Sequence, residues 1–309
     1  MKLSIVSTLY QSAAHVDEFH RRASEAARAL APGSYEIVLV NDGSPDASLA
    51  LAVALTRRDP CVVVVDLSRN FGHHKAMMTG LAHAQGDTVF LIDSDLEEEP
   101  EWLGAFATQL ASESRDVVYG VQRSRKGDWF ERWSGDLFYR LMHTISGVDM
   151  PQNMVTARLM TRRYVDALLL HEEREVDIGG LWAITGFAQA PHPVTKHSTS
   201  ATTYTLGRRI AVLVNSITSF SSFPLVAIFY IGVAIFLVAA CFMAWIVVQW
   251  ALLDAPVSGW ASLIVSIWLL GAMIISFIGI IGIYLAKMFS EVKRRPYTIV
   301  REIHGRRPR

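Results

Sequence analysis

The chain has 309 residues, of which 51% are hydrophobic and 19% charged, and its 29 Lys and Arg balance its 29 Asp and Glu. Zero net charge argues against a general nucleic-acid binder, and the apolar content excludes a disordered chain. No charged residue occurs from Ile210 to Leu253 or from Ala255 to Ala286, which excludes an ordinary soluble enzyme.

The charge is unevenly placed. Residues 1–224 carry 21 basic and 26 acidic side chains, whereas residues 287–309 carry 8 and 2. Cys61 and Cys241 offer no disulfide framework and read as small apolar fillers. The start, Met1–Val6, lacks a signal-peptide pattern and reads as a strand. Further apolar β-rich runs follow at Glu36–Val40, Cys61–Leu67, Thr88–Ile92 and Val117–Val121. Helical patterns lie between them at Val16–Leu30, Ala47–Arg57, His74–Ala84 and Glu101–Leu110. Strands alternating with helices of this length predict an α/β domain with a mostly parallel sheet over residues 1–205. Ligands of such sheets bind outside the carboxyl ends of the strands, so the polar residues there are the candidates.

The second run ends in Val40-Asn41-Asp42-Gly43-Ser44-Pro45-Asp46. These residue types make turns for local steric reasons, and Asp42 can also accept hydrogen bonds from a nucleotide base or ribose. The fourth run ends in Asp93-Ser94-Asp95-Leu96-Glu97-Glu98-Glu99-Pro100, five acids in seven residues that repel one another unless something cationic joins them. Helix capping by Asp95 is the bland account, but Pro100 is the better helix start. Asp93 then stands at the end of a buried strand, where carboxylates and substrate phosphates together suit Mg²⁺.

Between these lies Leu67-Ser68-Arg69-Asn70-Phe71-Gly72-His73-His74-Lys75. Adjacent histidines on a helix do not share a face and no further ligand has zinc spacing, so zinc is rejected. Arg69 and Lys75 suit the neighbourhood of a polyanion. Arg123, Arg125 and Lys126 follow the fifth run and provide further compensation for a diphosphate.

The ordered set Ser4-Ile5-Val6, Val40–Ser44, Leu67–Gly72, Asp93–Glu97 and Tyr119-Gly120-Val121-Gln122-Arg123 resembles the family 2 glycosyltransferases. Within them it is most similar to the polyprenyl-phosphate branch, which the ending Glu291-Val292-Lys293-Arg294-Arg295-Pro296-Tyr297 also resembles. The resemblance implies a GT-A fold, a UDP- or GDP-sugar donor, a polyprenyl-phosphate acceptor and Mg²⁺ or Mn²⁺. It assigns the nucleotide to Asp42, with Asn70, Lys75 and Arg125 in the donor-binding set. Asp93 and Asp95 become the metal-binding DxD pair, with Glu97 standing as a third ligand where many relatives have Gln. Arg123 would meet the phosphates. Arg158 occupies the place of an arginine that follows Asp-Phe in many relatives, and joins Asp93, Asp95 and Arg123 as a catalytic candidate. The sequence departs from that pattern: Val155-Thr156-Ala157-Arg158-Leu159 lacks the acid, and Thr202-Thr203-Tyr204 stands where relatives tend to have Ser-Lys-Tyr.

Residues 225–253 and 258–286 are each long enough to span a bilayer, and the short link between them predicts a transmembrane hairpin. Trp245, Trp250 and Trp260 gather near the link, as an interfacial belt would. Arg208, Arg209, Lys287, Lys293, Arg294 and Arg295 flank the outer ends, and the link has no Lys or Arg. The positive-inside rule therefore puts the α/β domain and a basic tail, 287–309, in the cytoplasm of a bacterial cell, with the hairpin in its inner membrane. Residues 206–224 have apolar side chains at helical spacing and read either as a helix packed on the soluble domain or as one lying in the membrane interface. Gly271, Gly279 and Gly282 permit close helix contact and leave a homo-oligomer open.

A phosphate acceptor is largely dianionic at neutral pH and needs no general base, whereas a hydroxyl acceptor does. For the hydroxyl case Asp149 and Asp177 are the candidate bases. A non-catalytic membrane scaffold is the remaining reading, and the intact Asp93/Asp95 pair argues against it.

Overall fold

In the computed structural model the described residues are 2–122, 153–173, 176–196, 223–253 and 259–305. They fall into two compact units. The first takes the residues up to 196 and returns to include 295–305; the second holds 223–253 and 259–294.

The first unit is an eight-stranded sheet. In chain order it contains β1 (Leu3–Leu9), α1 (Val16–Leu30), β2 (Tyr35–Asn41), α2 (Ser48–Arg58), β3 (Val62–Leu67), α3 (His73–His83), β4 (Thr88–Leu91), α4 (Trp102–Ser112) and β5 (Val117–Gln122). Then come β6 (Met154–Thr161), α5 (Arg162–Leu168), α6 (Ile178–Ile184), β7 (Gln189–Val194) and, after the second unit, β8 (Val300–His304). The spatial order is β7-β5-β6-β4-β1-β2-β3-β8. Strands β4, β1, β2 and β3 are mutually parallel, β6 runs antiparallel between β4 and β5, and β8 is antiparallel to β3.

The nine elements read from the sequence up to β5 are present within a few residues of their expected bounds. Both faces of the parallel strands are covered, which explains their continuous apolar runs. Leu3, Ile5, Leu9, Ile37 and Leu39 pack with Phe19 and Ala23 of α1, Ala52 of α2 and Phe106 of α4. The alternate residues of β1 and β2 face α3. A Cβ on Gly80 of α3 would stand 2.5 Å from Val6 Cγ1 and 2.9 Å from Val40 Cγ2, so only glycine allows that approach.

Residues 300–304, expected to be part of a basic tail, instead complete the sheet as its edge strand beside β3. Strand β7 carries Pro191 and Pro193, which fits its place at the opposite edge.

The second unit contains α7 (Phe223–Leu253) and α8 (Trp260–Val292), which touch each other. Among the described residues, Ser266–Val292 is long and apolar enough to cross a membrane by length and composition, and none of that apolar window is buried. Phe229, Phe236, Trp268 and Ile275 are likewise exposed, an arrangement that water does not favour. Residues 206–222, which include all but the end of the expected interfacial helix, lie outside the described residues, as does the link at 254–258.

Candidate active site

The carboxyl ends of β1 to β4 present four loops on one edge, and hydrogen bonds join them into one surface. After β2, Asp42 is buried, 2% exposed. Its Oδ1 accepts the Phe71 N–H at 2.7 Å and its Oδ2 the Gly72 N–H at 3.0 Å. The expected nucleotide ligand is thus also the tie between the β2 and β3 loops. Gly43 presses against the backbone of Arg69 and Asn70 with φ +60°, so this approach also excludes a side chain. Asp46 serves the turn, accepting from the Ser44 and Ser48 hydroxyls and from the Ser48 N–H. Ser44 Oγ in turn accepts the Gln11 N–H beyond β1.

In the β3 loop Asn70 is exposed, its carbonyl accepting from Arg69, whose guanidinium lies 4.0 Å from the Phe71 ring centre. Lys75 sits in the first turn of α3. His73 and His74 diverge, as their adjacency requires. His73 Nδ1 is 3.0 Å from Thr8 Oγ1 and its Nε2 is 3.2 Å from Asp93 Oδ1, whereas His74 Nδ1 accompanies the Val176 carbonyl.

Asp93 lies two residues beyond β4. Burial opposes its ionisation, but the His73 imidazole outweighs that and holds the carboxyl below its ordinary value. The same pair holds His73 above its ordinary value against burial. Asp95 is displaced upward, first by burial and then by the Asp93 charge, while its Oδ1 accepts the Glu97 N–H at 3.0 Å. These two carboxylates supply hard oxygen donors, and among the described residues buried Asp93 Oδ1 has the His73 ring nitrogen beside it without a well-aligned hydrogen bond. That donor set fits Mg²⁺ or Mn²⁺ completed by substrate phosphate oxygens.

Glu97 does not join the set. Its Oε2 is 3.2 Å from Lys196 Nζ, and among the described residues no group of three His, Cys, Asp or Glu stands together as a ligand cluster. The carboxylate repulsion apparent in the sequence is relieved instead by Lys196, which also lies 3.7 Å from Glu98 Oε1. Burial resists the Lys196 charge, yet these acids hold its pKa above the ordinary value. Glu98 is fully buried and accepts the Thr156 N–H at 3.0 Å and the Ala157 N–H at 2.8 Å, stapling the acidic loop to β6. Burial, then the Asp93 charge, pushes its pKa up to about 7. Neither role had a sequence signal: Glu98 was one acid among five, and Lys196 is a lone cation far along the chain.

Arg158 is enclosed. It is on β6, paired in register with Leu91 of β4 and Tyr119 of β5, and is 0% exposed. Its Nε donates to the Thr156 carbonyl, its guanidinium lies over the Trp182 ring, and among the described residues Nη1 and Nη2 have no hydrogen-bond partner. Its guanidinium is enclosed rather than open to solvent. Arg123, Arg125 and Asp149 lie outside the described residues. Asp177 flanks α6 and lines a cavity of about 220 Å³ together with His73, His74, Met77, Thr156 and Trp182.

The model of the glycosyl transferase family 2 matches residues 4–169. The chain belongs to that family. It is therefore a glycosyltransferase with an α/β, GT-A-type domain. A Mycobacterium tuberculosis (strain CDC 1551 / Oshkosh) protein named as a glycosyltransferase is 51% identical over 99% of this chain and 89% of its own length. A prophage-derived bactoprenol glucosyl transferase of Shigella flexneri is 31% identical over the whole of both chains. Among solved structures, mannosyl-3-phosphoglycerate synthase from Rubrobacter xylanophilus matches with a TM-score of 0.48 at 17% identity, covering 71% of this chain and 73% of that one.

Proposed function

We propose that this glycosyltransferase moves a sugar from a nucleoside-diphosphate donor to a polyprenyl phosphate at the cytoplasmic face of a bacterial inner membrane. The observation that carries the reading is the single edge on which the Asp42 loop, the Arg69–Gly72 loop and the Asp93/Asp95 pair meet, in a chain that also contains an apolar helix of membrane-spanning length. The end-to-end similarity to a bactoprenol glucosyl transferase supports the acceptor class.

Asp93 and Asp95 would hold the divalent cation. Once bound, that ion neutralises charge on the departing diphosphate. Asp42 keeps the two nucleotide-side loops together, and Asn70, Lys75 and Arg69 border the path a polyanion takes into the edge. A phosphate acceptor is already largely dianionic near neutral pH, so catalysis rests on positioning and on compensating the leaving group.

The hairpin reading gains support from β8. The chain leaves the first unit, forms α7 and α8, and rejoins the same sheet, which supports an even number of bilayer crossings over a single one. Two spans give that even number, with the sheet domain on the basic, cytoplasmic side.

The test uses purified full-length protein in detergent with undecaprenyl phosphate, Mg²⁺ or Mn²⁺ and a panel of radiolabelled nucleotide sugars. Label entering the organic phase with wild type and lost in Asp95→Ala supports the reading and names the donor. Binding of a nucleotide without any labelled lipid shifts the acceptor to a hydroxyl, for which Asp177 in the adjacent cavity is the base to mutate. No nucleotide binding overturns the enzymatic reading.

A further inference from the structure

We infer that Arg301, on the strand that follows the apolar helix α8, is a positioning residue for the nucleotide-binding loops. This rests on the donor reading above. The β3–β8 ladder pairs Asp66 with Glu302 but Leu67 with Val300, so Arg301 is the extra residue of a bulge. Bulges re-aim a side chain, and they gather next to active sites. Here the bulge turns the guanidinium across the carboxyl end of β3. Arg301 Nη1 lies 3.3 Å from Asp66 Oδ2, and Nη2 donates to the Ser68 carbonyl at 2.6 Å.

Both acceptors lead into the donor loops. Asp66 is buried, and its Oδ1 accepts from Asn41 Nδ2 at 2.8 Å; Asn41 Oδ1 accepts the Ser44 N–H at 3.3 Å. One arm of the guanidinium thus reaches the Asp42–Ser44 loop through Asp66 and Asn41. The other holds the first residue of the Ser68–Gly72 loop, whose N–H is in turn bonded to the Ile299 carbonyl at 2.9 Å. Thr298 Oγ1 ties the same segment to Thr79 of α3 at 2.8 Å. Only Lys293–Ile299 separates α8 from β8. The residues that set the two nucleotide-side loops are therefore joined, over a few residues of chain, to the apolar helix.

The role differs from simple edge completion. Backbone pairing of β8 would survive truncation of one side chain, whereas the loops would lose a two-armed clamp and leave the Asp66 carboxylate without its cation. Nucleotide binding then has to re-order loops the clamp would have held, and each tenfold of lost affinity corresponds to about 1.4 kcal/mol of such ordering.

The experiment measures calorimetric binding of UDP and of GDP, each with Mn²⁺, to full-length wild type, Arg301→Ala, Arg301→Lys and Glu302→Ala in detergent, with melting curves for all four. Arg301→Ala should weaken whichever nucleotide wild type binds by about tenfold or more while melting as one cooperative transition, Arg301→Lys should recover part of the loss, and Glu302→Ala should bind as wild type. In turnover the defect should fall on the donor KM, with kcat at saturating donor and the acceptor KM held. Should Arg301→Ala not fold, Asp66→Asn and Arg301→Lys decide by the same readout. Equal nucleotide affinity in wild type and in the folded variants overturns the inference. Wild type that binds neither nucleotide overturns the donor reading itself, so the two failures are distinguishable.

Discussion

Replacing Arg158 with Met should raise stability. Burial pushes the Arg158 pKa from 12.5 down to about 9, a penalty on the charged form of about 5 kcal/mol relative to water. A guanidinium does not deprotonate in a protein, so that penalty appears as a cost carried by the folded state. The Trp182 ring beneath it returns about 2 kcal/mol through its π-face, and the Nε bond to the Thr156 carbonyl about 1 kcal/mol. The remainder, about 2 kcal/mol, is what an isosteric apolar side chain should recover, in line with the gain of about 1–4 kcal/mol seen when buried ions are replaced by packed hydrophobes. Methionine has the length to follow the same path and a sulfur that sits well against Trp182.

The assay is equilibrium unfolding of wild type and Arg158→Met in detergent, monitored through the α/β domain, beside sugar transfer to undecaprenyl phosphate. Expected is a stabilisation of about 1–3 kcal/mol, with the Glu98 bonds to the Thr156 and Ala157 N–H groups left in place and transfer measured beside it. A destabilisation of more than about 1 kcal/mol would refute the reasoning: it would mean that Nη1 and Nη2 have an anionic partner in solution and that the buried charge is paired.

Asp93→Asn and Asp95→Asn should each lower transfer by about 10²-fold or more while leaving the melting temperature within a few degrees, and excess EDTA should reproduce the loss in wild type. Glu98 has a folded pKa of about 7 against an ordinary 4.5, so the folded state holds the extra proton between those values and stability falls as pH rises through that window, by up to about 3 kcal/mol. Melts of the EDTA-treated protein from about pH 5 to pH 8 should show this slope, and Glu98→Gln should flatten it; parallel slopes would reject the assignment. Gly43→Ala should cost about 1–3 kcal/mol and weaken nucleotide binding, since its Cβ would meet the Arg69–Asn70 backbone at positive φ; unchanged binding in calorimetry would contradict the shared-loop geometry.

The parallel half of the sheet was legible because each strand is buried on both faces and each helix intervenes at a regular interval, so hydropathy alone marks them. Strands β6, β7 and β8 were not. β6 interleaves polar Thr156 and Arg158 with apolar neighbours because its ends reach the site, and β7 is interrupted by two prolines that only an edge tolerates. β8 reads Val-Arg-Glu-Ile-His, half solvent-facing, and its partner β3 lies more than 230 residues upstream, as the separation of Asp66 and Arg301 shows. The same distinction divides the site. Asp42, Asp93 and Asp95 announce themselves because strand ends with acids are chemically unusual. Lys196 and Arg301 do not, because a single cation acquires meaning only from the carboxylate the fold carries to it.

That distance also shows where the sheet obtains its last strand. A soluble transferase can leave its edge strand to any convenient segment. Here the strand closing the donor side of the sheet is the first regular element after the apolar helix α8, and it clamps β3 through a bulged arginine rather than through pairing alone.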